Sequence, residues 1–251
     1  FNVQLLCVSP IFRKTTQWVD IKLLCEFESS VKLYKYLPSQ YLDNVTVKGE
    51  FLFRSSSYFR DFEDEQVRGD VYEGAQKYTG DSGLEINNVT TGISSKENWI
   101  FKSKVDTKNI FIFSTSSKLC PELAKEFTSD VCIEFTNAGQ IISKLSNAVK
   151  RRKSVKPNKL LHGHVNYYKE DSPPGINWAF PNKISNSKLD YFSQQEEYRF
   201  QFSLLDALAF GNTAQEIQMG IEPKRHRKNE YPEMILKIGN IKKWCKVHEF
   251  T

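Results

Sequence analysis

Apolar and polar positions alternate most sharply near the end of the chain. There Tyr198, Phe200 and Phe202 fall on one side of an extended segment, and Glu197, Arg199 and Gln201 fall on the other. With Tyr191, Phe192 and Gln195 ahead of them, residues 191–202 read as one strand that carries Gln195 on its polar side. A strand with one aromatic face and one face of Gln, Glu, Arg and Gln is either a solvated sheet surface or the floor of a polar cleft. Shorter apolar runs bounded by turn residues predict strands at 31–36, 50–54, 99–104, 109–113, 131–135, 160–168 and 234–244, with a hairpin or edge strand in 79–95. Helical spacing of Ile141, Ile142, Leu145 and Val149 predicts a helix opened by Asn137 and running to Lys150. Shorter helices are expected at 39–45, capped by Ser39, and at 121–127, with Pro121 in the first turn. Residues 1–30 follow neither period and read as an N-terminal extension of uncertain structure, leaving 31–251 as a single α+β domain with about eight strands and few helices.

Composition narrows this picture only slightly. The 251 residues suffice for a substantial core, and the formal charge of +5 permits an anionic partner without demanding one. Much of the excess sits in two runs, Lys150–Lys153 and Lys224–Lys228, both of which read as solvated loops. Cys7, Cys25, Cys120, Cys132 and Cys245 are odd in number and irregularly spaced, which fits a reducing cytoplasm better than a disulfide framework. No apolar run approaches a membrane span, and the opening FNVQLLCVSP lacks the pattern of a targeting segment. The sequons at Asn44 and Asn88 carry no weight without a sign of secretion.

Several chemistries lack their residues. His162 and His164 share a strand face but have no companion Cys or carboxylate motif, so no metal site is expected. No glycine-flanked serine elbow, phosphate-cradling Walker loop or GxGxxG turn is present. Residues 59–74, FRDFEDEQVRGDVYEG, interleave charges with aromatics and read as a salt-bridged surface helix and loop, or as a loop folding over a ligand.

Three polar elements remain, each attached to a hydrophobic strand: Arg54 at the end of FLFR, Ser114, Thr115 and Ser116 at the end of FIFSTS, and Gln195 with Glu197 in QQEEYRF. In this order they resemble the three-part signature of the ADP-ribosyltransferase superfamily, over residues 51–202. The wider layout also resembles a loosely defined group of bacterial proteins, some linked to phage defence. The resemblance implies a split mixed or antiparallel sheet core of two packed sheets with peripheral helices. It also implies NAD as substrate and a macromolecular acceptor, protein or nucleic acid, with a toxin or phage-defence effector as one setting; the lack of a long apolar run adds the expectation of no membrane partner. On that reading Glu197 stabilises the positive charge that develops on the ribose, Ser114 orients the glutamate or the ribose, and Gln195 positions the acceptor. Arg54 binds phosphate or ribose oxygens, Thr115 and Ser116 buttress the strand end, and Tyr58, Phe59 or Tyr72 stacks on nicotinamide. A register one residue earlier, Gln194-Gln195-Glu196, also satisfies Gln-x-Glu, but alternation sends Glu196 to the side of Tyr198 and Phe200. Two other expectations compete: a catalytically silent interaction or antitoxin-type module that binds through 59–74, and a Mg-dependent nuclease using Asp61, Glu63, Asp64, Asp70 and Glu73.

Overall fold

A computed structural model describes residues 31–61, 70–80, 84–97, 99–219 and 230–250. The extension 1–30, the carboxylates Glu63, Asp64 and Glu65, and the basic run 224–228 lie outside the described residues. Among those described, the strands in chain order are β1 (Leu33–Leu37), β2 (Glu50–Ser55), β3 (Ala75–Tyr78), β4 (Leu84–Asn87), β5 (Ser94–Glu97), β6 (Trp99–Lys104), β7 (Ile110–Ser116) and β8 (Val131–Phe135). They continue with β9 (Leu161–His164), β10 (Asn166–Tyr168), β11 (Ser187–Leu189), β12 (Glu197–Ser203), β13 (Ala214–Met219), β14 (Glu233–Lys237) and β15 (Cys245–Glu249). The α-helices are α1 (Leu42–Thr46), α2 (Ser56–Asp61), α3 (Pro121–Glu126), α4 (Ala138–Lys150) and α5 (Pro181–Ile184). The fold is α+β, with mostly antiparallel sheets and few helices, as composition and periodicity suggest.

An eight-stranded sheet dominates, running β14-β2-β7-β1-β8-β15, with β12 on the other side of β7 and β9 beyond it. A small sheet, β13-β6-β3, and a parallel pair, β10-β11, form the second layer. The hairpin expected in 79–95 is β4 with β5. The core lies behind the large sheet, where Phe51, Phe53, Phe111, Phe113, Phe200 and Phe202 meet Ile141, Ile142, Leu145 and Val149 of α4. Those four positions recur every three or four residues, so one face of α4 covers the sheet. Asn137 accepts a hydrogen bond from the Gln140 amide and caps the helix as expected.

Several sequence expectations need correction. Ser39 does not cap α1: its amide and hydroxyl both donate to Asp130, at 2.6 Å each, and residues 39–41 form a 3-10 turn. The segment 191–202 is not one strand, because Asp190–Gln195 is 3-10 and Glu196 adopts the left-handed region at φ 42°, which breaks the period before β12 begins. Residues 160–168 split into β9 and β10, which belong to different sheets. Residues 234–244 likewise end as a strand at Lys237, and the chain turns at Gly239 (φ 78°) before β15. The polar SSSYF after β2 forms α2, and β13 and β15 lack the apolar alternation that would have announced them.

The central strand β7 decides where a cleft opens. On one edge it pairs with β12 along its whole length, from Glu197 opposite Ser116 to Ser203 opposite Ile110. Its other edge is divided: β2 pairs opposite Phe111 and Ile112, and β1 pairs opposite Ser116. Residues 113–115 have no register partner from either strand on that edge. The sheet splits there, and the Lys35 ammonium donates to the Ser114 carbonyl across the gap at 2.8 Å.

Candidate functional site

A cleft of about 590 Å³ occupies the split, walled by β1, β2, α2, β7 and the start of β12. Strand alternation delivers Ser114 and Ser116 to its side of β7, opposite Phe111 and Phe113 in the core. On β12 it delivers Glu197 and Arg199, opposite Tyr198 and Phe200. Arg54, Tyr58, Phe59, Ser114, Thr115, Ser116, Gln195 and Glu197 all line this one cleft although they span more than half the chain. Tyr72 does not. It is buried elsewhere, with the ammonium groups of Lys77 and Lys102 over its ring at 4.6 and 5.2 Å.

Glu197 is the most elaborately held group in the cleft. Its Oε1 accepts from the Ser114 hydroxyl at 2.5 Å and from Arg199 Nε at 2.8 Å, while its Oε2 meets Lys188 Nζ at 2.9 Å. Its backbone amide donates to the Tyr167 hydroxyl at 2.8 Å, and burial pushes that phenol up to about 12. Burial is the largest single influence on the Glu197 carboxyl and acts to raise its pKa. The Arg199 and Lys188 charges, with the hydrogen bonds from Arg199 and Ser114, outweigh it and hold the group well below the ordinary carboxylate range. Arg199, 2% exposed, forks onto both oxygens of Glu73 at 2.8 and 2.7 Å and donates to the Ser185 carbonyl. Burial opposes its charge, but Glu197 and Glu73 prevail and raise its pKa.

The polar face of β12 is therefore not a solvated sheet surface: Glu197 and Arg199 lie at the floor of the cleft. Every residue of the strand is buried, and the second layer covers its charged side with Glu73, Ser185 and Lys188. The expectation of a surface segment at 59–74 is corrected at its described ends, because Asp61, Asp70 and Glu73 are 5%, 2% and 1% exposed. Asp70 accepts the Tyr72 amide through Oδ1, and its Oδ2 has no hydrogen-bond partner. Burial first, then the neighbouring Glu73 charge, pushes its carboxyl up to about 6 against the pull of Lys188.

The remaining cleft residues have definite tasks. Thr115 and Ser116 donate to the carbonyls of Tyr198 and Gln195, at 3.0 and 2.8 Å, and so pin the start of β12 to β7. Gln195 accepts from Lys188 at 3.3 Å and donates to Glu126 at 3.2 Å. The Arg54 guanidinium lies 4.3 Å over the Tyr58 ring and 3.4 Å from the exposed Glu233. Glu196 is exposed, accepts from the Ser117 hydroxyl at 3.2 Å and does not line the cleft.

Sequence reasoning missed Lys35 and Lys188 as site residues and gave Glu73 a different task. Period-two alternation had already put Arg199 beside Glu197, so its part in the site was within reach. Lys188 lies in a stretch with no period, and Lys35 matters only because β1 and β2 part. Of the carboxylates in the nuclease expectation, Glu63 and Asp64 lie outside the described residues; Asp61 pairs with Arg60, Glu73 pairs with Arg199, and no cluster of three potential metal ligands occurs among the described residues. The described cysteines, Cys120, Cys132 and Cys245, form no disulfide, and no described helix is long and apolar enough to cross a membrane. Comparison with protein-family models, with curated proteins and with solved structures gave no match.

Proposed function

We propose that the cleft binds NAD and that the chain is an ADP-ribosyltransferase that moves ADP-ribose to a macromolecular acceptor. One observation carries the reading: the Ser114 hydroxyl on β7 donates to Glu197 on β12 inside a cleft that also holds Arg54 and Gln195. Breaking the bond between nicotinamide and ribose builds positive charge on the ribose ring. A carboxylate that stays ionised at any physiological pH opposes that charge more in the transition state than in the ground state. Cations hold Glu197 in that state. The Ser114 hydroxyl stands where a ribose hydroxyl would donate, so exchanging one for the other keeps Oε1 satisfied. Lys35 and Arg54 give the same cleft two cations suited to a diphosphate, and the Tyr58 and Phe59 rings offer a flat apolar wall. The presence of one large and one small mostly antiparallel sheet supports the reading at the level of fold class.

The saturation of Glu197 favours a second reading, in which it is a structural carboxylate inside a binding module. Nicotinamide release separates the two. Purified wild-type protein with cell lysate is expected to release nicotinamide from NAD, and Glu197→Gln is expected to lower the rate by roughly 10²–10³-fold. NAD is expected to raise the melting temperature of the wild type. A wild type that neither releases nicotinamide nor is stabilised by NAD overturns the transferase and leaves the binding module.

A further inference from the structure

Residues 135–169 contain no Asp or Glu and carry eight Lys and Arg: Lys144, Lys150, Arg151, Arg152, Lys153, Lys156, Lys159 and Lys169. Within this segment residues 150–159 are solvent-exposed, as their composition suggests, except at Val155, which anchors the loop. Val155 is buried and bridges to Leu204, just past the end of β12. Lys156 bonds Ser203 twice, through its amide to the Ser203 carbonyl at 2.8 Å and through its carbonyl to the Ser203 hydroxyl at 2.6 Å. Asn158 donates to the Lys150 carbonyl at 2.8 Å and closes the loop on itself. The cations on either side of Val155 are exposed, and among the described residues none of them pairs with a carboxylate.

The basic surface continues along the edge strand β14. Arg152 donates to the Ile235 carbonyl at 3.0 Å and Lys144 to the Ile238 carbonyl at 3.2 Å, which aligns α4 and its basic end with that edge. Beyond it the Trp244 ring lies beneath Lys144 and Lys243, at 5.5 and 4.7 Å. On the paired strands β14 and β2 of this edge, Glu233 is engaged with Arg54 and Glu50 with Lys237. Cations displayed along a ridge, two of them anchored through Arg152 and Lys144, none of those in 135–169 paired with a carboxylate among the described residues, and with an aromatic ring at one end, match a polyanionic backbone. Residues 150–159 expose no large apolar side chain, which argues against an element that inserts into a lipid surface.

We propose that this ridge, whose cations at 144–159 do not line the cleft and whose role is independent of its chemistry, is a nucleic-acid-binding surface that engages phosphates. The test is fluorescence anisotropy of labelled single-stranded RNA and duplex DNA, each about 20 nucleotides or base pairs long, with the full chain across a range of salt concentrations. The Lys150→Glu/Arg151→Glu/Lys153→Glu variant leaves Arg152 and its bond to β14 in place. It is expected to weaken binding of at least one probe by more than roughly tenfold and to flatten the slope of log affinity against log salt by about two to three. Because the three side chains are exposed, its melting temperature is expected to match the wild type within about 2 °C. A wild type that binds neither probe overturns the proposal. So does a folded variant that binds as well as the wild type, or a protein that binds phosphatidylserine vesicles but not nucleic acid.

Discussion

Behind β12, Tyr198, Phe200 and Phe202 meet Phe53, Phe111 and Phe113; in front of it, Glu197 and Arg199 meet Ser114, Lys188 and Glu73. Both faces are buried, the front one at the floor of the cleft, and both are built on the same pair of strands. The rear face gains from area, as its rings tilt or stack at 5.0–6.2 Å and each contact adds a modest increment. The front face gains nothing from burial itself, because desolvation opposes every charge in it. It persists because each oxygen of Glu197 and Glu73 has a donor. An apolar face therefore loses stability in proportion to the volume removed, whereas a charged one fails when a single partner leaves its neighbour buried and unpaired.

The comparison is broken most severely at Arg199. Arg199→Met keeps the stem but strands Glu73 and Glu197 without their shared cation, and it is expected to cost about 3–5 kcal/mol in urea unfolding. The double variant Glu73→Gln/Arg199→Met is expected to recover part of that loss. Equal costs for the single and double variants would show that charge pairing does not govern this face.

Asp70 probes the same layer through pH. Its carboxyl is raised to about 6, so between about pH 4 and pH 6 the folded chain binds its proton more tightly than the unfolded chain does. The stability this provides is complete below the unfolded pKa and is lost as pH rises through the folded value. Asp70→Asn keeps the acceptor for the Tyr72 amide and never ionises. It is expected to match the wild type near pH 4 and to exceed it by up to about 3 kcal/mol near pH 8. Glu197 works in the opposite sense: its lowered pKa stabilises the fold above the ordinary carboxylate range, and that contribution is lost in acid. A pH-independent difference between Asp70→Asn and the wild type would contradict this account.

Smaller effects sharpen the contrast. Phe200→Leu on the rear face removes part of one ring and is expected to cost about 1–2 kcal/mol, well below Arg199→Met although both residues are fully buried on neighbouring positions. Ser114→Ala leaves Glu197 its two cations and is expected to cost only about 1 kcal/mol of stability. If Glu197 acts on NAD, the same change is expected to lower nicotinamide release by roughly fivefold or more, measured beside the melting curve. A loss of stability with no change in release would assign Ser114 to the scaffold alone.

Some of this was written locally in the chain. Period-two alternation in 197–202 put Glu197 and Arg199 on the face opposite Tyr198 and Phe200, and the spacing of Ile141, Ile142, Leu145 and Val149 marked the face of α4 that covers the sheet. Alternation states which side chains share a side, but not what will cover that side. Only the tertiary structure decided that the polar face is buried and paired, because its partners come from far away in sequence: Glu73 is 126 residues from Arg199. Only the pairing of β1 and β2 along one edge of β7 opened the gap that exposes Ser114 and brings Lys35 to it. A strand's faces follow from its own dihedral angles, whereas its edges and coverings depend on contacts between distant segments, and no local period encodes those contacts.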